Sequence, residues 1–460
     1  MRKISSADSN YAALNRRDAL RIGSLGVGGL GLADVLRLQA QAKTGGAAKA
    51  KSVIMVYLPG GPSHIDMYDP KPNAPTEYRG EFDSIQTKTP GLIVSEHLPL
   101  QAQISDKYSV IQGIKWLGRH DAYELLSGRP SASSGAIRSG EKWPVFGSVV
   151  SRVRSDAATT PLRLPPYVNL NDLRGGPEHD DPEIPRYMGA HHGPFRPTGP
   201  GLANLRLPTE VSTSRLDSRK ELLARFDHSR RQAEGSPQMR AMDEYQRRAF
   251  DMVSSNAVYA ALDWEREDAR TKEKYDGCLD LLLARRLVEA GVSAITVGLA
   301  GFQKGVGAPI FGGGWDTHKN NFPSMRKTLP QYDRALFTLL TDLYERGLDR
   351  DTLVVVWGEF GRSPKVGDEA AGLGNAYSTG RGHWWDAGFA IVAGGGLRMG
   401  QVVGETDAKA VRHKGKPYKP QNVLATMYRH LGIDPGQAFL DYQGRPVHLL
   451  DDRDPIRELI

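Results

Sequence analysis

Short apolar runs that end at glycine or at polar residues recur along most of this chain. The most pronounced run, SVIMVYL at 52–58, is rich in β-branched and aromatic residues and stops at the sequence PGG. A run of this kind predicts a strand that is buried on both faces of a sheet. By the same criterion, further strands are predicted at 108–112, 291–297, 351–357 and 387–393.

Amphipathic segments separate several of these strands. Their apolar residues recur at helical spacing, and a glycine closes a short helical segment at 120–128. Longer helices are predicted at 247–270, 276–290, 323–347 and 420–431. Because strands alternate with long helical crossovers, we expect a three-layer α/β sandwich with a mainly parallel central sheet.

The first 42 residues have the layout of a targeting segment rather than of a folded element. The paired arginines Arg16 and Arg17 precede a mild apolar run at 22–36, and a small-residue Ala-Gln-Ala pattern follows at 40–42. This layout predicts a twin-arginine export signal, with the export machinery as a partner and a periplasmic or extracellular location. The apolar run is too short and too rich in glycine for a stable membrane span, and an amphipathic N-terminal helix is the alternative.

The remaining chain, residues 50–460, is predicted to form a single α/β domain with a loop-rich insertion at about 130–215. The insertion is rich in proline and glycine and has few periodic stretches, which is typical of lids and binding loops. Its segment around His191 and His192 either lines a pocket or packs as a surface loop.

Composition excludes several classes of protein. Hydrophobic residues make up 39% and aromatic residues 8% of the 460 residues, so the chain can bury a core. The net charge of +7 is dispersed among 53 acidic residues. It forms no basic stretch suited to nucleic acid, although it mildly favours an anionic substrate. Cys278 is the single cysteine, which rules out internal disulfides and Cys-based zinc sites and predicts a small buried hydrophobe.

Acid and histidine side chains follow the predicted strands and glycine loops. Because ligands of parallel sheets bind beyond the carboxyl ends of the strands, we expect these groups to converge at one edge. Imidazole favours zinc-like ions, and carboxylates also suit Mn, Mg and Ca. The predicted cofactor is a divalent metal, Zn or Mn in the first place, with Ca or Mg as alternatives. The predicted ligands are His64, Asp66, Asp316, His318, Glu359 and His383.

Several of these residues also have a structural interpretation. Asp316 could cap a helix, and Glu359 could pair with Arg362. His383 could pack between its aromatic neighbours. The turn after the first strand could likewise be local turn and capping chemistry.

Six long motifs occur in order between about residue 50 and the C-terminus, namely GGPSHIDMYDPKPNAP, ARRLVEAGV, GGWDTHKNNF, DRDTLVVVWGEFGRSPK, GRGHWW and AGGGLRMGQVVGETD. They resemble the bacterial family called domain of unknown function 1501. That family resembles the alkaline phosphatase and sulfatase superfamily, and its members commonly carry a twin-arginine signal. The resemblance implies a central sheet with a metal site at the strand ends, where sulfate or phosphate esters are cleaved.

The resemblance also implies roles for particular residues. Asp316 and His318 resemble the superfamily's paired Asp and His. Glu359 takes the place of a later Asp–His pair, and His383 resembles the final histidine. An LSGR stretch resembles the end of the sulfatase helix whose start carries a Cys or Ser nucleophile. Here that start is Gly-Arg-His at 118–120, which excludes a Cys-derived nucleophile.

The expected function is an exported, sulfatase-like, metal-dependent hydrolase of sulfate or phosphate esters, acting on an anionic small molecule or a polysaccharide ester. Ser63 or a metal-activated water would attack, and His120 would be a ligand or an acid/base group. Arg129 or Arg362 would hold the anionic oxygens, because arginine forms bidentate contacts with such groups. The alternatives are a catalytically silent exported protein that binds a sugar, peptide or partner in the same cleft, and a phosphomutase-like metalloenzyme.

Overall fold

The computed structural model describes residues 51–118, 122–129, 143–158, 162, 164–171, 173, 181–197, 215, 218, 221–222, 257–300, 314–368 and 379–460. The predicted export signal and His120 lie outside these residues. Residues Ala50–Ile460 form one compact unit. No helix in the described part is both long enough and apolar enough to cross a bilayer.

Five strands of the described part, at 52–57, 108–112, 294–298, 352–357 and 389–394, lie at apolar runs that predict them. The described strands follow one another along the chain. They are β1 (Ser52–Tyr57), β2 (Ser84–Gln86), β3 (Ile93–Ser95), β4 (Tyr108–Gln112), β5 (Tyr167–Asn169), β6 (Ala294–Gly298), β7 (Thr352–Trp357), β8 (Gly361–Arg362), β9 (His383–Trp384), β10 (Phe389–Gly394), β11 (Val402–Val403), β12 (Ala438–Leu440) and β13 (Pro446–His448).

Helices connect or flank these strands. They are α1 (Thr76–Arg79), α2 (Pro99–Gln103), α3 (Tyr123–Ser127), α4 (Phe146–Ala157), α5 (Ala257–Leu262), α6 (Ala269–Lys274), α7 (Leu279–Ala290), α8 (Asn321–Glu345) and α9 (Pro420–His430).

The central sheet of the described part has seven strands in the order β11-β4-β10-β7-β1-β6-β5. The strand β1 pairs in parallel with both β6 and β7, and β5 continues the parallel arrangement beside β6. Strand β10 is antiparallel to its neighbours β7 and β4, whereas β11 is parallel to β4. Six of the seven strands therefore share one direction, which confirms the predicted mainly parallel α/β class.

Helices cover both faces of this sheet. Alternate residues of β1 point to opposite sides, as the pleat of a strand requires. Ile54 and Val56 join a core with apolar residues of α2, α5, α7 and α8. Val53 and Met55 join a second core with apolar residues of α3, α4 and α9. The predicted three-layer sandwich is thus present, and both of its cores exclude water.

The segment predicted as a loop-rich insertion contributes to the core. Its described part contains α4, which packs on the second core, and β5, which forms one edge of the central sheet. The Asn169 backbone N–H donates to the Phe195 carbonyl at 2.9 Å, so the chain beyond β5 also lies along that edge. With three residues, β5 is too short to show a hydrophobic pattern, which is why it was not predicted.

His430, in the last turn of α9, connects the starts of two central strands. Its Nε2 lies 3.0 Å from the Ser52 carbonyl and 3.2 Å from the Asp351 carbonyl. Burial lowers the pKa of His430 from its ordinary value. The unfolded chain therefore binds this proton more readily, and acidification below about pH 6.5 favours unfolding.

We predict that His430→Gln loses less unfolding free energy than the wild type between about pH 7 and about pH 5, because the substitution removes the titrating ring. Chemical denaturation at several pH values measures this difference. His448→Gln, at an exposed histidine, is the control and should follow the wild type. Equal losses in wild type and His430→Gln would contradict the prediction.

Candidate functional site

Asp316, His318 and His383 lie together next to the turn that follows β1. The Nε2 atoms of His318 and His383 are 2.9 Å and 3.6 Å from Asp316 Oδ1. The centroids of the two imidazole rings are 4.5 Å apart. One ligand atom of each residue lies within 4.8 Å of the others, so a single ion can contact all three.

Asp316 is held against the end of β1 by the residues around it. The backbone N–H of Trp315 donates to the Pro59 carbonyl at 3.2 Å, and its indole N–H donates to Leu299 at the end of β6 at 2.7 Å. Gly60 has φ +98°, and a Cβ there would lie 2.6 Å from the Asp316 nitrogen. Only glycine combines this backbone conformation with this close approach.

His383 lies at the same edge of the sheet because it precedes an antiparallel strand. It lies in β9, where it pairs with Arg362 of β8, and it precedes β10. Because β10 is antiparallel to β7, its start lies at the edge where the parallel strands end. The rings of Phe360 and Trp385 lie 4.6 Å and 5.6 Å from the His383 ring, which gives the group an aromatic wall.

Arg362 is completely buried beside this group. Its Nε donates to the Gly61 carbonyl at 2.8 Å, and its Nη2 bonds the Gly60 carbonyl and Asp316 Oδ1. Its Nη1 donates to the Arg381 carbonyl at 3.1 Å and lies 3.5 Å from His318 Nδ1. A guanidinium has five N–H donors, so all of them point at protein atoms. The predicted role of Arg362 in holding a substrate anion would require some of these contacts to open, and it stays a prediction.

Asp66 belongs to a different, fully buried cluster. Arg381 Nε and Nη2 donate to its two carboxylate oxygens at 2.8 Å and 2.9 Å. The Asn321 amide donates to Asp66 at 2.9 Å, and the Ser63 hydroxyl donates at 2.6 Å. Both Asp66 and Ser63 are thus engaged in an ion-pair network that shapes the loop after β1, and neither is in the group around Asp316.

The other two predicted ligands also have structural contacts. His64 is buried, its Nε2 lies 2.9 Å from the Ala410 carbonyl, and burial lowers its pKa, which disfavours the charged ring. Glu359 is completely buried, and its Oε1 accepts the Gly60 backbone N–H at 2.8 Å. Glu359 therefore fixes the turn that approaches Asp316.

Arg129 contacts the C-terminal region of the chain. Its guanidinium pairs with Asp451 and lies over the Trp143 ring at 4.6 Å. These contacts connect the end of α3 to the segment after β13, and the predicted role of Arg129 in holding an anion stays a prediction. The structure therefore brings together three of the six predicted ligands, with Arg362 beside them, and the ligand roles of all six stay predictions.

Sequence reasoning assigned no role to Arg381 or Asn321. Arg381 lies between two glycines in the motif GRGHWW, two residues before His383. Asn321 lies in the motif WDTHKNN, three residues after His318. The sequence signal that could have identified Arg381 is its position two residues before the candidate ligand His383. Its partner Asp66 is separated from it by 315 positions, and no local pattern indicates that pairing.

We predict that Gly60→Ala weakens binding of Zn²⁺ about tenfold or more, because the added Cβ displaces the backbone of Asp316. Gly291→Ala is the matched control, since Gly291 has φ +99° and a Cβ there meets nothing within 4 Å. Both variants should lose about 1 kcal/mol of stability from backbone strain, but only Gly60→Ala should change the calorimetric affinity. Unchanged affinity in Gly60→Ala would exclude this constraint.

Comparison with known proteins places the chain in a family. The solved structures that it resembles include a sulfatase from Pseudoalteromonas sp. (12% identity, 87% of this chain and 70% of that chain covered, TM-score 0.36). They also include a lipoteichoic acid synthase from Listeria monocytogenes (10%, 85% and 74%, 0.32) and a phosphonate monoester hydrolase from Silicibacter pomeroyi (11%, 84% and 74%, 0.35). No protein with a curated description matches. The family described as "Protein of unknown function (DUF1501)" matches residues 50–460, and the chain belongs to that family.

Proposed function

We propose that this protein is an exported, metal-dependent hydrolase of sulfate or phosphate esters. The observation that carries the proposal is the group of Asp316, His318 and His383 beyond the end of β1. In open α/β sheets this is where ligands bind. The family resemblance implies the same edge for a metal site that acts on anionic esters.

The donor set fits a transition-metal ion better than calcium or magnesium. Two imidazoles and one carboxylate suit Zn or Mn, whereas Ca and Mg prefer oxygen ligands. A bound ion of this kind would supply Lewis-acid stabilisation of the ester oxygens and activate a water nucleophile. Asp316 and the two histidines would hold the ion, and the Phe360 and Trp385 rings would limit the access of bulk water from one side.

The residues predicted to act as nucleophile and to hold the anion have contacts within the protein. Ser63 is completely buried and donates to Asp66, so water would be the nucleophile. Arg129 and Arg362 are engaged within the protein. His120 remains the candidate for an acid/base group, and it lies outside the described residues. The substrate would be an anionic small-molecule ester or a polysaccharide ester.

A catalytically silent binding protein is the second candidate function. The observation in its favour is the ion pair between Arg362 and Asp316, which neutralises the carboxylate without a metal ion. Such a protein would use the same cleft to bind a sugar, a peptide or a partner.

We predict that the purified wild type binds about one Zn or Mn per chain and that Asp316→Asn binds the metal at least ~100-fold more weakly, because the carboxylate is the one anionic ligand of the group. Elemental analysis and calorimetry measure this. Asp434→Asn, at an exposed aspartate, should keep the wild-type metal content. Retention of the metal by Asp316→Asn would exclude this site.

The metal-loaded protein should hydrolyse aryl sulfates or aryl phosphates, and Asp316→Asn should lose that activity together with the metal. The assay is release of the chromogenic alcohol from matched sulfate and phosphate substrates. Stoichiometric metal without turnover of any ester would favour the silent binding protein over the hydrolase.

We also propose export by the twin-arginine route. Replacing both Arg16 and Arg17 by lysine should trap the full-length precursor in the cytoplasm, because the route requires the paired arginines. Cell fractionation with immunoblotting measures the distribution. Arg21→Lys, in the same segment, is the control and should be exported, and normal export of the double variant would exclude the signal.

A further inference from the structure

Arg362 already supplies a positive charge to the candidate metal centre. Its guanidinium is completely buried, and its Nη2 pairs with the same Asp316 oxygen that faces the two histidines. Burial lowers the pKa of Arg362 and the Asp316 carboxylate raises it, and an arginine stays charged under both influences. The carboxylate therefore has an internal counter-ion at the position where a metal ion would act.

We propose that Arg362 and a divalent metal ion compete for Asp316, so that metal binding requires the Arg362–Asp316 ion pair to open. This inference rests on the metal site of the proposed function. An ion bound to Asp316 Oδ1 would lie close to a guanidinium that has no acceptor atom and cannot lose its charge. The repulsion between two positive charges in a partly buried site lowers the affinity for the metal.

The position of Arg362 also fixes the tautomer of His318. Arginine only donates, so His318 Nδ1, 3.5 Å from Nη1, has to accept. A neutral ring then carries its proton on Nε2, which lies 2.9 Å from Asp316 Oδ1. Because a histidine binds a metal through a lone pair, Nε2 in this tautomer offers none to an ion. Arg362 thus opposes metal binding at two ligands at once.

Replacement of the Arg362 guanidinium by a metal ion at Asp316 needs only a small movement of the Arg362 side chain. Three contacts of the guanidinium are to backbone carbonyls, those of Gly60, Gly61 and Arg381. These contacts can persist while the contacts to Asp316 and His318 are released. Arg362 would then stay beside the loaded centre rather than leave it, and its removal should strengthen metal binding.

The test is calorimetric titration of the metal-free full chain with Zn²⁺ alone, comparing wild type, Arg362→Gln and Arg362→Lys. Arg362→Gln should bind Zn²⁺ about tenfold or more tightly than the wild type, because the competing charge is gone. Arg362→Lys keeps the positive charge but lacks the planar set of guanidinium donors. Its affinity for Zn²⁺ should lie between those of the wild type and Arg362→Gln. The matched control is Arg285→Gln, since Arg285 is equally buried and ion-paired with Glu267 and Asp342. It should lose stability without a change in affinity.

A second measurement does not depend on how the Arg362 variants fold. Long-range ¹H–¹⁵N NMR of the metal-free wild type should show His318 as the Nε2–H tautomer, with its signal identified by its loss in His318→Gln. Addition of Zn²⁺ should move the proton to Nδ1. A metal-free His318 that carries its proton on Nδ1 would overturn the proposal.

The outcomes separate this inference from the proposed function. Weaker or equal Zn²⁺ binding by Arg362→Gln overturns the competition, and the proposed metal site stands if the wild type binds. Zn²⁺ binding by Arg362→Gln but not by the wild type supports the competition and removes the metal-dependent function of the natural chain. Binding by neither protein overturns both.

Discussion

The buried ion pair between Asp66 and Arg381 is the interaction on which the geometry of the site depends. Both side chains are completely excluded from water, and two hydrogen bonds of 2.8 Å and 2.9 Å join them. The remaining donors of Arg381 bond the carbonyls of Tyr78, Ser363 and Pro364. Removing one partner of such a pair leaves a buried charge and costs about 3–5 kcal/mol, so the pair fixes one arrangement of the loops that it joins.

The loops joined by this pair carry the candidate centre. Arg381 precedes His383, and its carbonyl accepts a hydrogen bond from Arg362, which in turn contacts Asp316. On the other side, Asn321 contacts both Asp66 and Thr317, the neighbour of Asp316. The position of the Asp316 group is thus set by hydrogen bonds that begin in the core and extend to the edge of the sheet where Asp316 lies.

Those parts of the fold that leave a pattern in a short stretch of sequence were predictable. The long apolar runs identified β1, β4, β6, β7 and β10, because a doubly buried strand needs an unbroken apolar sequence. The edge strand β5 is too short to give such a signal. The antiparallel direction of β10 has no signature of its own, and yet it is the reason that His383 reaches the edge occupied by Asp316.

The site was predictable only in part, for a related reason. Residue types and their positions after strands indicated Asp316, His318 and His383, and the same logic included Asp66 and Glu359. Which carboxylate joins the group around His318 and His383, and which is enclosed by internal donors, depends on partners that are remote in sequence, such as Arg381 for Asp66. Local patterns carry no information about those pairings.

The single cysteine can report on transient opening of the core in which it is buried. Cys278 precedes α7, is 5% exposed and belongs to the core that also contains α8. Burial raises the pKa of its thiol to about 12, and the thiolate is the reactive form. Thiol reagents and oxidants therefore reach Cys278 only when that core separates. The rate of labelling of the unmodified chain measures how often this occurs, with no engineered probe and no second thiol to confuse the signal.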